Sequence, residues 1–409
     1  MILLLSVAAT VQGDSSLKPK LREIEVHPVR QADQQGVLLR DPLRLSDQAI
    51  FVPLSLVPLL ELCDGSRDEA GLRASLAVRA GIQLGPAMLG RILAQLDEAL
   101  LLDNERFAEA QAAALQDFRT ATSRTMLLAG ESYPGDAEGL GSLLDGYLAA
   151  ANEAEQPQEG IEGDVRGLIS PHIDYDRGGA IYAPVWCKAA PAVREADLAI
   201  IFGTDHLASN PTITLTHQRY ATPWGVLPTA NEVVDRVARA VGPEVVFRDE
   251  LHHRSEHSIE LAAVWLHYLL GDTECQLLPV LCGSFDRFVE GGQDPREDAS
   301  LAALIGAVSE DTGSQKTMVI AAGDLAHVGP AFGDPYAIDL VERARLRASD
   351  EELMASICAG DEEAFFQQVK EKQDRNRVCG LAPIYLALWL LGEAEGTVTG
   401  YAQCPADQQ

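Results

Sequence analysis

Beyond residue 165 the chain alternates two patterns. Short, almost wholly apolar runs occur at "VRGLIS", "DLAIIFG", "CQLLPVLCG" and "TMVIAAG", and apolar positions recur every three or four residues at 229–242, 256–270 and 297–309. A continuous apolar run marks a strand buried on both faces, whereas spacings of three and four mark one face of a helix. Strands interleaved with helices predict an α/β fold, a mainly parallel sheet covered by helices on both faces. In such sheets functional groups gather beyond the carboxyl ends of the strands.

The preceding part reads differently. "VLLRDPLRLSDQAIFVPLS" alternates in the manner of short strands. "LSLVPLLELCDG", "EAGLRASLAVRAG" and "AMLGRILAQLDEALLLDNERF" then carry helical spacing, the first two ending at a glycine placed for a C-cap. Strands and three small helices predict a separate small α+β, winged-helix-like domain over 18–105. A helical cap that merely packs on the larger domain fits the same pattern. From about 106 the chain is helical and polar, and the acidic, turn-rich stretch 152–164 reads as a surface loop.

A length of 409 residues exceeds one average core and agrees with two domains, 18–105 and 120–405. The net charge of −29 changes the picture more, because such a chain repels phosphate backbones and anionic headgroups. Neither nucleic acid nor a membrane surface is expected as a partner; a small molecule, a peptide or a metal ion is. The seven cysteines are scattered without a CxxC pair, which suits a reducing cytosol and a cytoplasmic protein. The opening "MILLLSVAATVQGDSS" lacks a basic start and reads as a first strand or an over-long start rather than a signal peptide.

The unusual residues sit where the sheet argument would put them. "GLIS" is followed by Pro171, His172, Ile173, Asp174 and Tyr175; "AIIF" by Gly203, Thr204, Asp205 and His206; "MVIAA" by Asp324 and His327. Eight of the nine histidines lie between 172 and 327. Neutral imidazoles converging on one point commonly hold a transition metal, with carboxylates orienting them or completing the shell. These turns lack the Gly-rich, basic character of a phosphate pocket. In "HHRSEHSIELAAVWLHYLLGD" the spacing places Glu256, His257 and Glu260 on neighbouring positions near the start of a helix. They form either an acid-rich helix start suited to the dipole or an acid/base and orienting group beside a metal. Cys379, just before a glycine and an apolar helix, is either a small buried hydrophobe or a thiol activated at a helix start.

The order of "AGESYPGDAEGL", "SPHIDY", "GTDH", "TPWG", "SEHSIE", "LLPVLCG", "AAGDLAHVG" and "VCGLAP" along 120–400 resembles the Memo family, whose bacterial members are called AmmeMemoRadiSam system protein B. The resemblance implies a fold akin to class III extradiol dioxygenases and a metal pocket of histidines and a cysteine with iron- or copper-linked redox chemistry. It carries the strand-end histidines onto His172, His206 and His327, the acid onto Asp324 and the pocket thiol onto Cys379, and it leaves Glu256 to Glu260 intact. By family analogy a radical-SAM protein or an AMMECR1-like protein is an expected partner. The module at 18–105 resembles the PqqD-like peptide-recognition domains through "LCDG" and "LDEALLLD". Departures are Asp174 in place of a glycine, Leu207 in place of a second histidine, Trp224 in the "TPWG" loop, and the loss of an aspartate near Thr229–Ala230.

The leading expectation is therefore a mononuclear metal protein, most simply an Fe(II) oxidoreductase of dioxygenase-like type. Its ligands would be His172, His206 and His327 with Asp324, and Asp174, Tyr175 and Asp205 would line the pocket. His257, with Glu256 or Glu260, would be the acid/base and Cys379 a redox-active or ligating thiol. A non-catalytic scaffold for a peptide or small molecule is the alternative, and a Zn²⁺ hydrolase a third reading.

Overall fold

A computed structural model describes residues 18–31, 34–154, 164–208, 210, 212–312 and 316–406. The expected first strand within 1–16, and residues 155–163 of the expected acidic loop, lie outside them. The chain divides into two compact units, 1–117 and 118–409.

In the first unit, strands β1 (Glu25–Gln31), β2 (Gln34–Arg40) and β3 (Ile50–Pro53) form an antiparallel sheet in that order. Helices α1 (Val57–Leu62), α2 (Glu69–Ala80) and α3 (Pro86–Glu98) follow, and α4 (Glu105–Thr120) carries the chain onward. Local chemistry explains α2. The Asp68 side chain accepts from the Gly71 N–H at its start, and Gly81, at φ 66°, ends it in the left-handed conformation that only glycine adopts at little cost. Leu39, Leu59, Leu72, Leu76, Leu89 and Leu96 close the core. Strand β1 was not legible as a strand, because it contains Pro28 and is mostly exposed; as an edge strand it tolerates both.

The second unit opens with α5 (Ala137–Ala154), which takes in the first residues of the expected loop. It continues with β4 (Gly167–Ser170), α6 (Tyr175–Glu195), β5 (Leu198–Thr204), β6 (Ile213–Leu215), β7 (Tyr220–Thr222), β8 (Gly225–Leu227) and α7 (Asn231–Val241). Three short or amphipathic helices follow, α8 (Pro243–Val246), α9 (His252–Ser255) and α10 (Ser258–Leu270). Then come β9 (Gln276–Cys282), α11 (Asp286–Glu290), α12 (Ala299–Thr312), β10 (Thr317–Ala322), α13 (Leu340–Cys358), α14 (Glu362–Glu371) and α15 (Leu381–Leu391). The sheet order is β4-β10-β5-β9-β6, parallel except for the antiparallel edge β6.

Strand periodicity sorts the two cores. Along β5, Leu198, Ile200 and Phe202 enter one cluster with α7, α12, α14 and α15, while Ala199 and Ile201 enter the other with α5, α6 and α10. The four apolar runs read from the sequence are β4, β5, β9 and β10, covered on both faces as a parallel sheet requires. The 21 residues of α6 carried no clear helical signal because Pro184 and Pro191 lie inside it.

Register sets the site. Ala322 pairs with Ser170 on one side and Gly203 on the other, so β4, β5 and β10 end level. The start of α15 is drawn under that edge by two glycines. A Cβ at Gly323 would lie 2.5 Å from Gly380 Cα, and one at Gly380 would lie 2.7 Å from the Asp324 carbonyl oxygen. Only glycines allow this approach, which the Gly380 N–H to Asp324 carbonyl bond (2.8 Å) closes.

Candidate functional site

His172 leaves β4 and is buried. Its Nδ1 lies 3.1 Å from the Ala322 carbonyl oxygen, which can only accept, so Nδ1 donates there and Nε2 is the nitrogen turned to the strand edge. That Nε2 is 3.3 Å from Cys379 Sγ, delivered by the turn before α15. His206 leaves β5, and its Nδ1 lies 2.9 Å from Glu256 Oε2. A carboxylate again accepts, and Nε2 is again left over. The His172 and His206 ring centroids are 5.1 Å apart, and His257 stands 5.5 and 5.2 Å from them.

Two sets of donor atoms gather within 4.8 Å of one another among the described residues: His172, His206 and Cys379, and His206, Glu256 and His257. The expected ligands Asp324 and His327 stand next to the first set. Asp324 accepts from the His172 backbone N–H (3.2 Å) and lies 4.0 Å from His172 Nε2. His327 Nε2 is 4.0 Å from Cys379 Sγ, and its ring rests edge-on against Phe332.

The electrostatics follow from this crowding. Burial opposes ionisation of the Cys379 thiol, but His172, His206 and His327 more than offset it and hold the thiol well below its ordinary range. Burial likewise opposes charge on His172, yet Cys379 and Asp324 raise it to about 9. Burial works against the charged forms of His206 and Glu256 as well. Their mutual attraction prevails, holding the carboxyl well below its usual range and the imidazole well above.

Glu256 is the organiser of this edge. It sits in the break between α9 and α10, accepting from the N–H groups of His206 (3.0 Å), His257 (2.7 Å) and Ser258 (2.9 Å). Sequence spacing allowed either Glu256 or Glu260 to serve His257. The structure pairs His257 with Glu256, Nδ1 to Oε1 at 3.2 Å, because the helix is interrupted there and Glu260 begins the next turn facing elsewhere.

Glu260 accepts instead from the Tyr133 hydroxyl (2.6 Å), from the N–H groups of Leu127 (2.8 Å) and Leu128 (2.9 Å), and from the buried guanidinium of Arg124. Arg124 also donates to the carbonyls of His253 and Glu256, each at 2.6 Å. Arg124 thus braces the whole 253–260 turn from behind. A lone arginine in a polar stretch carries no pattern, so nothing in the sequence singled it out. His252 was also missed; its Nδ1 lies 2.8 Å from Asp205 Oδ2, so Asp205 serves a neighbouring histidine. Asp174 caps α6 by accepting from the Arg177 N–H (3.1 Å), and the buried Tyr175 donates to the Leu261 carbonyl (2.7 Å). Those three expected pocket residues are not on the wall of the chamber that the cluster faces. Of about 1150 Å³, that chamber is lined by His172, His206, His257, Asp324, His327 and Cys379.

The donor set fits a transition metal on its own chemistry. Two imidazoles present Nε2 while their Nδ1 atoms are fixed by an acceptor, the arrangement that metal-binding histidines use, and a thiol whose ionisation the histidines favour completes three soft-to-borderline ligands. Among the described residues no helix is long and apolar enough to cross a membrane.

A mainly parallel α/β unit with a histidine and thiol pocket at its strand ends is the class of protein this geometry defines. A family model described as "Memo-like protein" matches residues 124–407, and the chain belongs to that family. It is similar to a "MEMO1 family protein" of Aquifex aeolicus (strain VF5), 26% identical over 388 residues, covering 94% of this chain and 95% of the relative. It is also similar to a "MEMO1 family protein" of Methanosarcina mazei, 26% identical over 285 residues, and to "MEMO1 family protein MK0963" of Methanopyrus kandleri, 25% identical over 285 residues. Each match covers 68% of this chain and 91% of the relative. The Aquifex alignment is longer than the second unit, so it extends into the first.

Proposed function

We propose that the second unit binds a single transition-metal ion through His172, His206 and Cys379 and works as a redox protein. The observation that carries this is the convergence of two Nδ1-anchored imidazoles and a thiol within 4.8 Å. Iron(II) is the metal favoured here, with copper or zinc as the alternatives, and the kinship to extradiol dioxygenases belongs to the same reading. Iron or copper would supply electron transfer and dioxygen chemistry when bound, and zinc only Lewis-acid chemistry suited to hydrolysis.

The chain's own residues have separable tasks in this account. Glu256 fixes the plane and tautomer of His206 and keeps His257 at the chamber wall, where its imidazole can move a proton to or from a bound molecule. Asp324 and His327 surround the thiol without joining the three donor atoms; His327 sustains its charge, Asp324 favours the charged form of His172, and both can exchange protons at the same wall. For the first unit, peptide recognition is the accompanying proposal.

Titration with Co²⁺ under anaerobic conditions tests the ligand set. A thiolate-to-cobalt charge-transfer band saturating at one equivalent, absent in Cys379→Ser, supports it. The same band persisting in Cys379→Ser, or none in the parent, overturns it and leaves a scaffold that binds a small molecule or peptide without a metal.

A further inference from the structure

The chamber extends well beyond the histidine cluster. Its far walls are helical stripes: Leu346, Asp350, Met354 and Ile357 lie three or four residues apart along α13, and Ile181 and Val185 along α6. These spacings put each set on one helix face, so two apolar stripes meet across a space of about 1150 Å³. Protein interiors close such gaps by packing, and a volume of this size with mainly apolar walls matches a binding site for a small molecule.

One residue breaks the stripe. Asp350 is 4% exposed, its Oδ2 accepts from the Tyr401 hydroxyl at 2.8 Å, and its Oδ1 has no hydrogen-bond partner among the described residues. Burial raises this carboxyl above its usual range. An unmatched buried carboxyl oxygen on the wall of an apolar chamber is costly unless something entering the chamber donates to it. The C-terminal segment is tied along α13 beside it. The Gly396 N–H donates to the Cys358 carbonyl (2.7 Å), and the Gln403 side chain donates to the Arg343 carbonyl (2.9 Å).

We propose that the chamber takes an elongated, mainly apolar molecule whose one hydrogen-bond-donating end, an amine or a hydroxyl, is received by Asp350, while its other end reaches the His172–Cys379 edge. This deepens the proposed function by naming the class of molecule presented to the metal edge. The binding step does not itself need the metal, so probe binding and cobalt titration can fail separately.

The test uses the full chain and the apolar dye Nile red, displaced by decylamine, decanol and decanoate. Nile red fluorescence brightens on binding, and decylamine or decanol displaces it at least about tenfold better than decanoate, because a carboxylate offers Asp350 no donor. Decylamine stronger than decanol identifies an ammonium end, and the reverse a hydroxyl. Asp350→Asn binds the dye as before but loses about tenfold in the preference for the donor probe. Ile181→Trp, which fills the chamber from α6, abolishes dye binding without touching Asp350. Equal displacement by all three probes, an unchanged preference in Asp350→Asn, or dye binding that survives Ile181→Trp overturns the proposal.

Discussion

The stretch 252–260 feeds two regions that share a backbone and little else. On one side Glu256 and His257 join His206, His172 and Cys379 at the open strand edge, where two imidazoles anchored through Nδ1 turn Nε2 outward. On the other, His253 and Glu260 close with Arg124, Tyr220 and Tyr133 into a buried network in which every named group is matched. The lesson is that polarity alone does not mark a site. Both regions are rich in charge, but only the first opens on a chamber.

The sharpest way to break the contrast is Arg124→Ala. It leaves the buried Glu260 carboxylate without its cation and frees two carbonyls, and should destabilise the second unit by about 3–5 kcal/mol in denaturant unfolding. A loss within experimental error would mean the network is not the brace described.

Acid should separate the regions next. His253 Nε2 lies 3.0 Å from the Thr214 carbonyl and must donate, so Nδ1 accepts from the Tyr220 hydroxyl at 2.7 Å and the ring is held neutral. Burial lowers it from the ordinary 6.5 to about 3. The unfolded chain therefore takes up a proton between those values while the folded one does not. Its contribution is complete above pH 6.5 and is lost as pH falls toward 3, a few kcal/mol at most. Unfolding curves from pH 7 to 4 should show that slope, and His253→Gln should flatten it.

Glu256→Gln probes the open side. It keeps the shape but weakens the hold on His206, and metal affinity should fall by about 10–100-fold with a smaller change in unfolding midpoint. Competition with a chelator measures it; unchanged affinity would count against Glu256 as the orienting group. The smallest effect is expected from His327→Ala, which stands 4.0 Å from the thiol and outside the three converging donors. Metal content should be retained, with the thiol titrating at higher pH than in the parent because one stabilising imidazole is gone.

Much of this was legible in the sequence. The apolar runs gave β4, β5, β9 and β10, and the topological rule then put His172, His206, Asp324 and His327 on one edge. What was not legible depended on long-range approach. Cys379 was picked out through the family resemblance and not by pattern: it meets His172 because Gly323 and Gly380 let β10 and α15 touch, a contact between positions far apart in the chain with no periodic trace. Glu256 and Glu260 are equivalent by spacing, and a break in the helix decides between them. Arg124 belongs to a network that joins residues 124–133, Tyr220 and residues 253–260, visible only once folded.

Metal content by mass spectrometry, on protein purified anaerobically without chelators, tests the central claim most directly. The parent should carry close to one equivalent of a transition metal, lost in His172→Ala and in Cys379→Ser while both remain folded. A parent that holds no metal even after reloading, or variants that retain it in full, would contradict the account.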